Sequence, residues 1–403
     1  MSSAAAATLI LIAVAAFGLP LVARRVGVPA PVLEILFGVA IGPVLHFVTL
    51  TDFISQLGEL GFFLLMFLSG FEINLAGFGA RARSQLVVGL VVFGITLAAS
   101  AGSVWLLGYG AFTMFVLATT SVGMVVPTLR TTRHMGTSLG QSILVSALIA
   151  DFLTLIAVTC LALVTDSGSP LSLLAVPAFF AVIAAGLLIV RRIAWWWPEP
   201  FRRLFDVDDP EEVGIRATLA LMLVLVGLAL VLGIEPILGA FMAGTVFAVV
   251  FRYRGTLDQK LAGFAYGFLI PVFFIGVGIR FDLSALGDPV ALRITVALIG
   301  LAILVKILAA LPLRLLGLPM RSVLAAGFLL SARLSLIIAV AELGVRLGVI
   351  DRPLQSSIVL LAAASSTLGP LLFRLVAPSA PAPAPSAAER PSAPVVGSAR
   401  PAR

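Results

Sequence analysis

The sequence predicts an all-α polytopic membrane protein, with about thirteen transmembrane helices in two inverted six-helix repeats whose broken helices cross. Composition is the first observation behind this expectation. Of 403 residues 61% are hydrophobic and 11% charged, and the mean hydropathy is +1.17, far outside the soluble range. The second is the recurrence of apolar segments with short punctuation. The third is an internal repeat that spans the longest polar break.

The apolar segments cover about 6–24, 30–47, 55–74, 85–107, 111–129, 138–164, 171–191, 214–232, 234–251, 262–280, 290–316, 321–342 and 354–376. The first lacks a basic residue ahead of its apolar run and carries Arg24 and Arg25 after it, so it reads as a transmembrane helix rather than a cleaved signal. Lysines and arginines concentrate in the odd-numbered loops, at Arg81/Arg83, Arg130/Arg133, Arg191/Arg192, Arg252/Arg254 and Arg314/Arg321. Arg280, Arg293, Arg346 and Arg352 in the last two even-numbered loops weaken this bias without reversing it. The positive-inside rule then predicts a plasma-membrane protein with its N-terminus outside and its C-terminus cytoplasmic. A net charge of +7 is accounted for by anionic lipid headgroups, with no nucleic-acid partner. Residues 377–403, rich in Pro, Ala and Ser, predict a disordered cytoplasmic tail.

The polar break at 195–216 separates two related halves. GVPAPVLEILFG (Gly27–Gly38) matches GIEPILGAFMAG (Gly233–Gly244) at an offset of 206, and GFEINL (Gly70–Leu75) matches GIRFDL (Gly278–Leu283) at 208. Six helices plus one extra between equivalent positions invert the second unit, a plan of secondary transporters that places the substrate site at the midplane.

Asp151 lies at the centre of the apolar run Gly140–Leu163. At about 1.5 Å per residue, that run crosses a hydrocarbon core of about 30 Å with the carboxylate near its middle. A central carboxylate costs about 2.5–3.5 kcal/mol even on insertion scales, so it is expected to face a cavity or partner and to handle ions or protons. The plainer alternative, a hydrogen bond tying two helices, is served more cheaply by Ser or Asn.

The fifth segment holds Thr119, Thr120, Ser121, Gly123 and Pro127. Two readings of it stand side by side: a broken helix whose exposed carbonyls and hydroxyls coordinate a cation, or a packing helix with small residues. Its repeat-mate, Ser331–Gly344, opens with Arg333 and Ser335 and favours a crossed pair of broken helices. Lys306 lies inside the eleventh segment and is expected to be a buried charge partner, of Asp151 above all. Burial and a nearby lysine act in opposite senses on a carboxylate's hold on its proton, which would let protons and cations compete for one site. Glu34 and Glu72 are weaker candidates.

These motifs resemble the bacterial monovalent cation/proton antiporters of the sodium/proton exchanger superfamily. The likeness rests on Gly27–Pro43, Glu59–Leu75, TTSVGMVVPTLR at Thr119–Arg130, Asp151, Leu232–Ala248, Ile270–Leu283 and Lys306. It implies that residues 1–376 form one antiporter domain, with a dimerisation scaffold from helices 1–3 and 8–10 and a mobile core from helices 4–6 and 11–13. It also implies a cation and proton site at Asp151, Thr120 and Ser121, exchange of sodium or potassium for protons, and a homodimer. Two residues depart from the family pattern: Ala150 stands where a polar residue precedes the binding aspartate, and Arg333 where many relatives carry Glu. Both remove oxygen from the site and motivate the alternative of a transport-inactive sensor or regulatory subunit. With one carboxylate, one-for-one exchange is expected, the alternative being a second proton carried by Lys306 and voltage-sensitive transport.

Other chemistry is poorly supplied. An aspartyl protease needs paired carboxylates. A zinc site needs histidines, and only His46 and His134 exist, both near segment ends. No enzyme activity, cofactor or metal other than the transported cation is expected.

Overall fold

The computed structural model describes residues 3–48, 50–71, 82–196, 212–250, 257–283 and 289–378. In chain order the helices are α1 (Ser3–Val26), α2 (Ala30–Val39, continued by a π turn to Val44), α3 (Asp52–Phe71), α4 (Ala82–Leu107), α5 (Ala111–Ala118), α6 (Val122–Thr131), α7 (Ser138–Ser167) and α8 (Ala175–Trp196). There follow α9 (Val213–Val231), α10 (Pro236–Val250), α11 (Leu257–Phe264), α12 (Ile270–Ile279), α13 (Pro289–Ala310), α14 (Met320–Leu330), α15 (Ser335–Arg346) and α16 (Arg352–Val376).

Ten spans among the described residues are long and apolar enough to cross a bilayer, eleven when the bent pair α14–α15 counts as one. The expected second and ninth segments are shorter helices, Ala30–Val44 and Pro236–Val249. Of the polar break only its two ends are described, and the proposed tail beyond Pro378 and Glu72 lie outside the described residues.

Local chemistry sets the element ends. The Thr137 hydroxyl accepts from Gly140 N at 3.0 Å to open α7, and Gly168, at φ +63°, closes it in a left-handed cap that a side chain would strain. Asp351 caps α16 by accepting from Leu354 N at 2.9 Å. At the other end of α16, His134 Nε2 donates to the Pro378 carbonyl at 3.0 Å and Arg321 Nε to that of Val376 at 2.8 Å.

The helices pack in two groups. The first joins α1–α3 with α9–α12, and the second joins α4–α7 with α13–α16; contacts between the groups are few. Within the first, glycines let backbones meet. Gly244 of α10 faces the Phe67 carbonyl of α3, and Gly70 of α3 faces the Phe241 carbonyl of α10. Gly38 and Gly278 do the same between α2 and α12. In lipid, where no hydrophobic force drives helices together, such close approach supplies the packing energy. Phe62 and Phe273 stack across α3 and α12 with centroids 4.7 Å apart.

A Cβ at Gly244 would collide with the Phe67 carbonyl, a backbone atom that cannot rotate away. Gly244→Ala is expected to destabilise the α3–α10 contact by about 1–3 kcal/mol. Thermal unfolding in detergent checks this, and an unchanged midpoint would contradict it.

Candidate functional site

The site is built on an interruption. α5 stops at Ala118, residues Thr119 and Ser121 are extended (φ −52°, ψ 155° and φ −143°, ψ 111°), and α6 starts at Val122. A helix that stops in the middle of a protein leaves carbonyls at one end and N–H groups at the other without internal partners.

The carbonyl end of α5 receives two cations. Arg333 Nη1 donates to Leu117 O at 2.8 Å and Val116 O at 3.2 Å, and Lys306 Nζ donates to Ala118 O at 2.7 Å and Thr120 Oγ1 at 2.8 Å. The Thr119 hydroxyl adds a bond to Val116 O at 2.8 Å. Arg333 also reaches Ala302 O of α13 at 3.1 Å through Nη2 and Ser331 O at 3.1 Å through Nε. The N–H end of α6 receives the anion: Val122 N donates to Asp151 Oδ2 at 3.0 Å. Positive side chains thus sit at the negative helix end and a negative one at the positive end, as the helix dipoles favour. All three charges are nearly inaccessible, Arg333 at 0%, Lys306 at 1% and Asp151 at 5% exposure.

The second interruption supplies Arg333. α14 ends at Leu330, residues 331–334 are non-helical, and α15 begins at Ser335 with a bend of 44°. Ser365 Oγ of α16 lies 3.3 Å from Arg333 O and holds the break from behind. α15 packs on α5 and α7, so the two interrupted helices meet at the side chains just described.

Lys306 is buried within Coulombic reach of Asp151, as a charge partner should be, and its ammonium also donates to the end of α5, at Ala118 O and Thr120 Oγ1. Pro127 does not make the break: it lies inside α6, and the interruption is at 119–121, between α5 and α6. The carbonyl that Pro127 leaves unbonded is Gly123's, in the first turn of α6. Gly123 packs loosely beside Ser121 Oγ, and Ser121, Thr119, Thr120 and Ser335 are all buried. Ala150 is buried beside Asp151 in sequence. Glu34 lies on α2 in the other helix group, 3% exposed, and is no part of this site.

One feature escaped the sequence. A cavity of about 270 Å³ opens between the two groups, lined by Ser55, Glu59, Phe62, Glu235, Arg280, Glu342 and Arg346 among others. Two ion pairs span it from one group to the other, Arg280–Glu342 at 3.2 Å and Arg346–Glu235 at 2.5 Å. Arg280 and Arg346 are two of the arginines that weakened the loop-charge asymmetry. Each has a carboxylate partner, which explains why they are tolerated on that face.

Fold and site together define a multi-pass membrane protein of the secondary-transporter class, not an enzyme. The profile of the family described as sodium/hydrogen exchanger, transmembrane, matches residues 10–377, and the chain belongs to that family. It is 34% identical over 403 residues to the putative Na(+)/H(+) antiporter YjbQ of Bacillus subtilis (strain 168), covering 93% of this chain and 63% of that protein. It is 28% identical over 367 residues to the Na(+)/H(+)-K(+) antiporter GerN of Bacillus cereus, covering 87% and 90%. Among solved structures, the sodium proton antiporter MjNhaP1 from Methanocaldococcus jannaschii at pH 8 shares the fold, with a TM-score of 0.66 at 16% identity, over 92% of this chain and 95% of that one.

Arg333→Leu would leave the α5 carbonyls without their guanidinium. Hydrogen bonds to charged groups contribute about 1.5–3 kcal/mol each, so the variant is expected to lose at least about 3 kcal/mol of stability. Thermal unfolding in detergent measures it; a variant as stable as the parent would remove Arg333 from its capping role.

Proposed function

We propose that this protein exchanges a monovalent cation, sodium or potassium, for protons by alternating access, with Asp151 as the group that both ions occupy in turn. The observation that carries the proposal is the buried carboxylate at the N-terminal end of an interrupted helix, in a chain that belongs to the sodium/hydrogen exchanger family. Lys306 and Arg333 donate to the opposite helix end, and Asp151 is the carboxylate at the end where the N–H groups point. Deprotonated Asp151 attracts the cation. Protonation cancels that attraction and releases it. One carboxylate then turns over one proton per cation, with Lys306 held at Ala118 and Thr120. The names of the relatives, sodium/proton and sodium/proton–potassium antiporters, support this substrate class.

The transport-inactive alternative draws no support from the site, whose carboxylate and both interruptions are in place. The chain resides in the plasma membrane with its N-terminus outside, so the Glu235 cavity faces the exterior. α1–α3 and α9–α12 act as the stationary, dimer-forming scaffold, and α4–α7 with α13–α16 carry Asp151 past it. The ion pairs Arg280–Glu342 and Arg346–Glu235 join scaffold to core and must part during each cycle. Arg280–Glu342, half-exposed on both sides, contributes about 0–1 kcal/mol, weak enough to break at every turnover, and in the second pair Arg346 reaches Glu235 from an exposed position.

In reconstituted vesicles, Asp151→Asn is expected to abolish proton movement driven by a sodium or potassium gradient while the purified protein stays monodisperse. Exchange near the parental rate would place the site elsewhere. The motion has its own test. In a Cys160→Ser background, Glu235→Cys and Arg346→Cys joined by a short bifunctional thiol reagent should stop exchange, and reductant should restore it. Undiminished exchange in the cross-linked protein would show that the two groups do not separate there.

A further inference from the structure

The hydroxyls of α7 divide into two kinds. Ser142, Thr159 and Thr165 each donate to the carbonyl four residues earlier, at 2.8 Å. This is the ordinary way a helix satisfies such a group in an apolar setting. Ser146 and Thr154, the two hydroxyl residues nearest Asp151 in the chain, do not: both are buried, and neither oxygen has a hydrogen-bond partner among the described residues. Thr154 is 0% exposed, and the carbonyl of Ala150 stands four residues before it. A threonine in a helix chooses between two rotamers, one of which makes that bond. Giving it up leaves a buried polar atom unmatched, an arrangement that persists where something else uses the oxygen.

Position says what that is. Three residues apart on a helix, Thr154 and Asp151 share a face with Cβ atoms about 5–6 Å apart. Ser146, five residues before Asp151, projects from a different side of the helix, towards Gly89 of α4. Thr154 lies on the side of Asp151 nearer the Glu235 cavity. From that cavity a small void of about 10 Å³, the size of one water, continues inward between Leu155, Val158 and Thr159 of α7 and Leu336 and Val340 of α15. It shares Glu235, Ile237, Ala339 and Leu343 with the large cavity. An ion travelling from the cavity to Asp151 passes the helix level of Thr154 last.

The site is also short of oxygen. Hard cations stripped of water require several oxygen ligands. Ala150 contributes no side-chain oxygen, and Thr120 Oγ1 already accepts from Lys306. We propose that the Thr154 hydroxyl is a direct ligand of the transported cation, completing the coordination that Asp151 begins. This inference rests on the antiport reading and assigns that reading a further residue.

The test compares Thr154→Val, which keeps the shape and removes the oxygen, with Thr154→Ser, which keeps the oxygen. In vesicles, the sodium and potassium concentrations giving half-maximal exchange should rise about tenfold in Thr154→Val, the factor that loss of about one ligand contact produces. Its maximal rate should be retained, and Thr154→Ser should match the parent. Thermal unfolding in detergent gives a second readout: the salt concentration at which sodium or potassium chloride, against choline chloride, stabilises the protein should shift by the same factor. A purely structural hydroxyl predicts the opposite. Removing an unmatched buried oxygen would then raise the unfolding temperature and leave the cation dependence unchanged, and that result, in a parent that exchanges cations, overturns the inference alone. A parent that moves no protons in response to either cation overturns the antiport reading with it. Should Thr154→Val fail to fold, Thr154→Ala is read in the same two assays against the same criteria.

Discussion

An interrupted backbone at the centre of an apolar protein is the constraint from which the rest follows. Residues 119–121 leave the helical path, and the peptide groups on either side of them lose their internal partners. Water cannot satisfy them, so charged side chains do. Arg333 and Lys306 take the carbonyls of Val116, Leu117 and Ala118, and Asp151 takes the N–H of Val122. The costs offset one another. Burying a guanidinium, an ammonium or a carboxylate alone in a low-dielectric interior is prohibitive, as is an unpaired helix end, but each is the natural partner of the other. The same arrangement that stabilises the break therefore concentrates the charges that function needs.

The two helix groups are held by different physics, and the difference matters for mechanism. Inside the first group, glycines bring the backbones of α3 and α10, and of α2 and α12, into contact. Such seams are specific and stiff, because no side chain can yield between them. Between the groups the contacts are thin, and at the Glu235 cavity they are ion pairs at the ends of long side chains. Weak polar contacts between the groups let the second shift against the first, whose glycine seams keep it rigid. Such relative motion is what the proposed alternating access requires.

Much of this was legible in the sequence, for a definite reason. Asp151, Lys306 and Arg333 stand out because charges in apolar runs are costly, so their presence alone announces a role. Their backbone partners were not legible. Arg333 bonds carbonyls more than two hundred positions away in the chain, at Val116 and Leu117, and carbonyls carry no residue identity to read. Side chains alone pair Lys306 with Asp151, which lies within its Coulombic reach, but give no sign that the ammonium also bonds the backbone at Ala118. The sequence offers Thr119 to Pro127 as a segment that could be broken, without saying where in it the helix stops. Three residues with hydroxyl side chains, Thr119, Thr120 and Ser121, make the break, stabilised by distant charges that local propensity cannot see. Arg280 and Arg346 were weighed as loop charges, whereas their ion pairs with Glu342 and Glu235 link separate helix groups.

Ala150 and Arg333, the two departures that put activity in question, fit together once the hydrogen bonds are known. A polar residue at position 150 would offer Lys306 an alternative partner on α7; without one, the ammonium stays on Ala118 O and Thr120 Oγ1. Arg333, for its part, faces the α5 carbonyls and Ala302 rather than the carboxylate. In the proposed exchange the cation is held by Asp151 and the Thr154 hydroxyl, with no oxygen from the side chain at position 150. Weak retention suits a carrier, which has to release its cargo on the far side as readily as it binds it on the near one. The oxygen missing at position 150 thus accords with the proposed exchange at Asp151.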